Sequence, residues 1–170
     1  MSTPPVSLRI CVLTISDTRT MANDASGRVL AERLGKAGHV LHAREIVRDD
    51  IYAIRAVVSK WIFEREPEVI LTTGGTGVTG RDGTPEAIAP LLDKRLDGFG
   101  ELFRMRSYAR IGASTIQSRC LAGVANGKYL FCVPGSQDAC ETAWDEILAA
   151  QLDSRVQPCN FAQILSRLRE

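Results

Sequence analysis

The sequence predicts an α/β domain of three layers (α/β/α): a mainly parallel sheet with helices on both faces, plus an antiparallel element. Three observations predict it. Strand-like and helix-like stretches alternate along the first half of the chain. The strand-like runs are mostly apolar and β-branched, as strands buried on both faces are. Later, Asn126-Gly127 separates two short apolar runs, a strong hairpin signal.

Taken in order, residues 8–15 read as a buried strand ending at Ser16-Asp17. Residues 26–37 read as a helix with Val29, Leu30, Leu34 and Ala37 on one stripe, stopped by Gly38. Residues 40–47 form the second strand. Residues 51–66 form the second helix, with Ile54, Val57, Val58, Trp61 and Ile62 as its apolar stripe and Pro67 closing it. Residues 68–73 form the third strand. This βαβαβ order implies right-handed crossovers. The pattern then changes. Residues 84–92 read as a helix with Thr84 as N-cap and Pro85 at its first position, followed by a helix over 98–108. Runs 120–124 and 128–133 make the hairpin. Helices over 136–150 and 161–168 complete the chain.

A length of 170 residues fits one domain, set at 8–170, behind a flexible start at 1–7 where Pro4 and Pro5 resist regular structure. The charge balance is +1, which gives no basic excess for nucleic acid. Arg104, Arg106 and Arg110 cluster, most simply as a solvated helix face. No apolar run approaches a membrane span, and no basic-then-apolar leader opens the sequence. Five scattered cysteines lack zinc or redox spacing. The expected location is the reducing cytoplasm.

In an open parallel sheet, ligands bind beyond the carboxyl ends of the strands. Those ends carry Ser16-Asp17, Asp49-Asp50, the run Thr73-Gly74-Gly75-Thr76-Gly77 and Pro134-Gly135-Ser136, all small, acidic or hydroxylic. Three glycines in four positions let the backbone turn sharply and turn its amides toward a phosphate. The formal Gly75-x-Gly77-x-x-Gly80 pattern is not a dinucleotide fingerprint: it follows the third strand, and the next helix starts only at Thr84. No Gly-Lys-Ser/Thr follows, so it is no P-loop either. Asp49 and Asp82 beside such a loop repel an anion unless a divalent cation lies between, which points to magnesium. Each aspartate taken alone also suits a loop cap. His39 and His42 lie far from the strand ends, and Trp61 and Trp144 sit at packing positions on helices, so no nucleophilic triad is supported.

At these residues the sequence resembles the MoaB/MogA family of molybdenum cofactor biosynthesis proteins, from about Arg9 to Phe161. The motifs are Asp24-x-Ser26-Gly27, the run 73–77, Arg81-Asp82-x-Thr84-Pro85-Glu86-Ala87, Gly98-Phe99-Gly100-Glu101, Ser118-Arg119 and Pro134-Gly135-Ser136. Gln117-Ser118-Arg119 and the tail Pro158-Cys159-Asn160-Phe161 are more similar to the MoaB branch.

The resemblance implies a molybdopterin-binding fold and adenylyl transfer: the molybdopterin phosphate attacks the α-phosphate of Mg-ATP, and pyrophosphate leaves. On this reading Asp49 and Asp82 are the catalytic and magnesium-holding carboxylates. Thr73, Gly74, Gly75, Thr76 and Gly77 hold the nucleotide phosphates. Ser16, Ser118, Arg119, Pro134, Gly135 and Ser136 form the molybdopterin side, with Arg119 able instead to make a structural salt bridge. The intact Arg81-Asp82-Gly83-Thr84-Pro85 run argues for competence. A protein that binds molybdopterin or its precursor without adenylylating it is the alternative. The family also implies a homo-oligomer, a trimer or hexamer, with Phe99, Leu102, Phe103 and Met105 as apolar outer positions, and other cofactor biosynthesis proteins as partners.

Overall fold

The computed structural model describes residues 4–170. One six-stranded sheet runs in the order β2-β1-β3-β6-β5-β4. Its strands are β1 (Arg9–Ile15), β2 (Val40–Val47), β3 (Val69–Thr73), β4 (Lys94–Arg95), β5 (Leu121–Ala125) and β6 (Lys128–Val133). The first four in that order pair in parallel, and β5 and β4 continue the sheet antiparallel. The mainly parallel sheet with its antiparallel element is as the sequence predicts.

Side-chain alternation along each strand builds two cores. Ile10, Val12, Val69, Leu71, Tyr129 and Phe131 face one side, and Cys11, Leu13, Ile15, Ile70, Leu130 and Cys132 face the other. Helices α1 (Ala25–Lys36), α4 (Asp97–Ile111) and α5 (Gln137–Ala143) cover the first side. Helices α2 (Ile51–Phe63) and α3 (Thr84–Ile88) cover the second, with Trp61 and Ile54 fully buried. Both faces of every central strand are thus dry, which is why those runs read as continuously apolar.

Local chemistry sets the boundaries. Asp24 caps α1 by accepting from the Gly27 amide, and Gly38 at φ +87° turns the chain away after it. Asp50 caps α2, which ends at Phe63, just past its apolar stripe and three residues short of the expected 66. Asn126 at φ 47° and Gly127 at φ 71° form the tight β5–β6 turn, since the twist-matched hairpin turn needs positive φ at both central residues. Ser136 caps α5, which continues through a π-helical turn at Trp144–Leu148 into α6 (Ala149–Gln151). A short α7 (Phe161–Ile164), capped by Asn160, packs Phe161 on Tyr129.

Four features differ from expectation. Gly83, not Thr84, is the N-cap of α3, because the Thr84 hydroxyl donates to the Gly74 carbonyl instead. β4 is a two-residue edge pairing of Lys94-Arg95 with Val124-Gly123, too short to leave a pattern. A 3₁₀ segment over Gly112–Gln117 follows α4. Phe99 and Phe103 point inward: both are core residues, with Phe99 edge-on to Phe131 at 5.1 Å between ring centres. The outward apolar residues of that region are Met105, Tyr108, Ile111 and Ile116. At the start, residues 4–8 carry no regular structure, although the Val6 amide donates to Ser154 and the Ser7 hydroxyl to Gly38. Residues 1–3, part of the start expected to be flexible, lie outside the described residues.

Candidate functional site

A cleft of about 470 Å³ opens beyond the carboxyl ends of β1, β3 and β6. The run Thr73–Gly77 lines it together with Ser16, Pro134-Gly135-Ser136 and Ser118, whose neighbour Arg119 bonds the Thr76 carbonyl through its amide. Parallel strands end there together, so their loops converge without any long-range device. Thr73 ties the β3 and β6 ends together by donating to the Pro134 carbonyl at 2.9 Å. The Ser26 hydroxyl does the same for α1, donating to the Gly135 carbonyl at 2.7 Å.

The glycine loop is bare main chain for steric reasons. Gly74 lies at φ +106°, and a Cβ there would meet the Ile15 carbonyl oxygen at 2.2 Å. Gly75 lies at φ +64°, where a Cβ would fall 2.3 Å from Thr84 Oγ1 and 2.9 Å from Asp49 Oδ2. The Gly74 amide is used by the Val133 carbonyl; those of Gly75 and Thr76 meet no acceptor among the described residues. Successive open amides on a turn made by two positive-φ glycines form a concavity suited to an anion.

Two carboxylates press on this loop. Asp82 lines the cleft; its Oδ2 accepts from the Thr79 amide (2.9 Å) and hydroxyl (2.6 Å), and a Cβ on Gly77 would sit 2.8 Å from it. Those Thr79 bonds hold its carboxyl below the usual range. Asp49 lies beside Gly75, off the cleft lining, and accepts from the Gly83 amide at 3.3 Å. Burial pushes its carboxyl up, and the charges of Asp82 and Asp17 push the same way. Asp17, forked to Arg81 at 2.9 and 2.7 Å, is held low by that guanidinium. Among the described residues no three His, Cys, Asp or Glu side chains converge as a metal cage. Two carboxylates, the charge of Asp82 raising the proton affinity of Asp49, beside open phosphate-type donors are nevertheless the partial set magnesium uses, since it takes its other ligands from water and phosphate.

The hydroxyls divide into two kinds. Ser16 Oγ accepts from the Thr18 and Arg19 amides, and Ser136 Oγ accepts from the Ala139 amide as helix cap. Each keeps its own proton for a ligand. Ser118 Oγ is buried, with the Cys120 thiol as its neighbour and no oxygen or nitrogen partner among the described residues. Arg119 is placed differently from its neighbour: its guanidinium turns away from the cleft lining to the Gly77 carbonyl (2.7 Å), the Asp82 carbonyl (3.0 Å) and Glu86. Sequence reading also passed over the wall formed by α4 and the 3₁₀ segment, where Ser107, Ser114, Thr115 and Gln117 line the cleft. The Gly112 turn and the short polar run after it were the signal.

The family described as "Probable molybdopterin binding domain" matches residues 11–154. The chain belongs to the MoaB/MogA family of molybdenum cofactor biosynthesis proteins. It is 50% identical over 161 residues to molybdenum cofactor biosynthesis protein B of Escherichia coli (strain K12), covering 95% of each chain. The homologue from Bacillus cereus is 44% identical over 149 residues, 87% of this chain and 88% of that one. A crystal structure of a molybdenum cofactor biosynthesis protein B superposes with TM-score 0.89 at 40% identity, covering 98% of this chain and 99% of that one. The tungsten cofactor synthesizing protein MoaB from Pyrococcus furiosus follows with TM-score 0.80 at 34% identity, covering 98% and 100%.

Proposed function

We propose that this protein acts in molybdenum cofactor biosynthesis as a molybdopterin adenylyltransferase. One observation carries the reading: a bare glycine loop with open amides, flanked by Asp49 and Asp82, shares a cleft with the buried hydroxyl of Ser118. The loop suits nucleotide phosphates, and the rest of the lining suits a second phosphorylated ligand. The terminal phosphate of molybdopterin brings its own oxygen nucleophile. That oxygen bonds to the α-phosphorus of ATP, the α–β anhydride bond breaks, and pyrophosphate leaves with the electron pair.

Such a transfer needs positioning and charge neutralisation more than a covalent catalyst. The amides of Gly75 and Thr76 would hold phosphate oxygens. The Ser136 cap leaves the first amides of α5 turned to the cleft, a place for the pterin phosphate, with the hydroxyls of Ser16 and Ser118 donating beside it. Asp49 and Asp82 would hold magnesium, which when bound neutralises phosphate charge. This reading places the reaction in the cytoplasm, alongside other cofactor biosynthesis proteins, in a trimer or hexamer. The exposed Met105, Tyr108, Ile111 and Ile116 offer apolar surface for such an assembly, and analytical ultracentrifugation counts its subunits.

The deciding experiment follows pyrophosphate release from ATP with molybdopterin and magnesium. Wild type releases it only with all three present. Asp82→Asn, which keeps an oxygen for the Thr79 bonds, loses at least about a hundredfold in rate. Pterin binding without pyrophosphate release by wild type would instead establish a binding protein.

A further inference from the structure

Arg119 lies outside the cleft lining, yet it contacts more of the site's framework than any ligand-facing side chain described above. Its own amide donates to the Thr76 carbonyl at 3.0 Å. Its Nε donates to the Gly77 carbonyl at 2.7 Å and its Nη2 to the Asp82 carbonyl at 3.0 Å, while Nη1 is paired with Glu86 in the first turn of α3. The side chain is about one-third exposed. Four bonds from one residue therefore fix both ends of the loop that carries the open amides and the carboxylate.

Only arginine can do this. A guanidinium is planar, presents five donors in fixed directions, and serves two carbonyls and a carboxylate at once; an ammonium is a point charge on a flexible stem. Nothing else described on this side of the loop restrains the Gly77 carbonyl, and residues 78–81 are exposed. Without the fork, the 76–82 segment would keep its own Thr79–Asp82 turn, the Arg81–Asp17 pair and the backbone bond at the Thr76 carbonyl, but no bond to the Gly77 and Asp82 carbonyls. Arg119 also follows Ser118 directly, so the residue that braces the loop is one peptide away from a buried hydroxyl of the cleft lining. We infer that Arg119 is a positioning residue: its guanidinium, anchored by Glu86, holds the Gly77 and Asp82 carbonyls so that the loop amides and the Asp82 carboxylate face the cleft in one arrangement. The inference concerns the empty loop and stands whichever phosphorylated ligand the cleft takes.

The test is amide hydrogen exchange by NMR on the full chain, with no ligand added. In Arg119→Lys the hydrogen-bonded amides of the loop, those of Thr79, Asp82 and Thr84, exchange about tenfold faster, as loss of charge-assisted hydrogen bonds permits. The interior amides of β1 and β3 keep their wild-type rates. In Arg119→Ala, millimolar guanidinium slows the loop amides again, while the same concentration of sodium salt does not. Should either variant fail to fold, Glu86→Gln, which loosens only the anchor, gives a smaller acceleration on the same amides. Loop rates unchanged in the lysine and glutamine variants would overturn the inference. So would an acceleration spread evenly over loop and sheet, because that reports general destabilisation. Because no nucleotide or pterin enters the measurement, its failure is separable from failure of the adenylyl-transfer reading.

Discussion

At the scale of single residues, the sequence shows what a position needs locally and hides what it serves at a distance. Gly74 and Gly75 could be singled out because three glycines in four positions have few uses, and their positive φ values are a local requirement. Arg119 could not be placed, because its partners are carbonyls 42 and 37 positions away, and every residue has a carbonyl. Asp49 shows what a binding position costs. Burial and the nearby charges of Asp82 and Asp17 raise its carboxyl above the unfolded value. A carboxyl raised in the folded state binds its proton more tightly there, so folding stability falls as pH rises through the carboxylate range. Asp49→Asn removes that penalty and keeps an oxygen for the Gly83 amide. Its melting temperature should therefore exceed wild type at neutral pH without metal, and the difference should shrink on acidification to about pH 4. Thermal melts across that range decide it; a variant less stable than wild type at neutral pH would refute the strained-carboxylate account.

Elements were legible where their pattern is repeated or their turn chemistry is distinctive. β1 and β3 each announce themselves by an apolar run, β2 by β-branched ends between two helices, and the β5–β6 hairpin by Asn126-Gly127. β4 is defined only by partnership with β5, and the 3₁₀ wall over Gly112–Gln117 by following α4 around a glycine, so neither leaves a period to read. Between elements the buried Asp24 ties three together. It caps α1, accepts from Thr14 Oγ1 on β1 at 2.7 Å, and pairs with Arg44 on β2 at 2.8 Å. Burial alone would raise its carboxyl, but the bonds from Arg44, the Gly27 amide and Thr14 outweigh it and hold it low. A lowered folded value means that its contribution is complete above the unfolded value near 3.9 and is lost as pH falls through the folded one. Asp24→Ala should cost about 3 kcal/mol at neutral pH, since it leaves the largely buried Arg44 without its partner. That corresponds to a melting point lower by about 6–12 °C. Urea titration measures it, and a loss below about 1 kcal/mol would reduce Asp24 to an ordinary helix cap.

For the whole molecule, the order of strands was the part beyond sequence. β5 and β6 are joined by two residues, yet β6 also pairs with β3, across a crossover that contains α3, α4 and the outer strands. Nothing local specifies that choice; it follows from burying both faces of β6 between the two cores. The consequence for function is that the β3 and β6 ends stand side by side, which places Gly74 against Gly135, whose added Cβ would meet Gly74 at 3.1 Å. The site is therefore a property of the folded whole, and filling it should stabilise the whole. A ligand that binds only the folded state adds RT ln(1 + [L]/Kd), about 2.7 kcal/mol at a hundredfold excess over Kd. For a chain of this length that raises the melting temperature by roughly 5–10 °C. ATP with magnesium should give such a shift, ATP with a chelator much less, since the triphosphate then meets Asp49 and Asp82 without charge neutralisation. Asp82→Asn should lose most of the metal-dependent part, and without ligand it should melt slightly below wild type, since the Thr79 bonds favour the ionised carboxylate. A shift equal with and without magnesium would mean that the two carboxylates do not hold the metal, and the glycine loop alone would have to account for nucleotide binding.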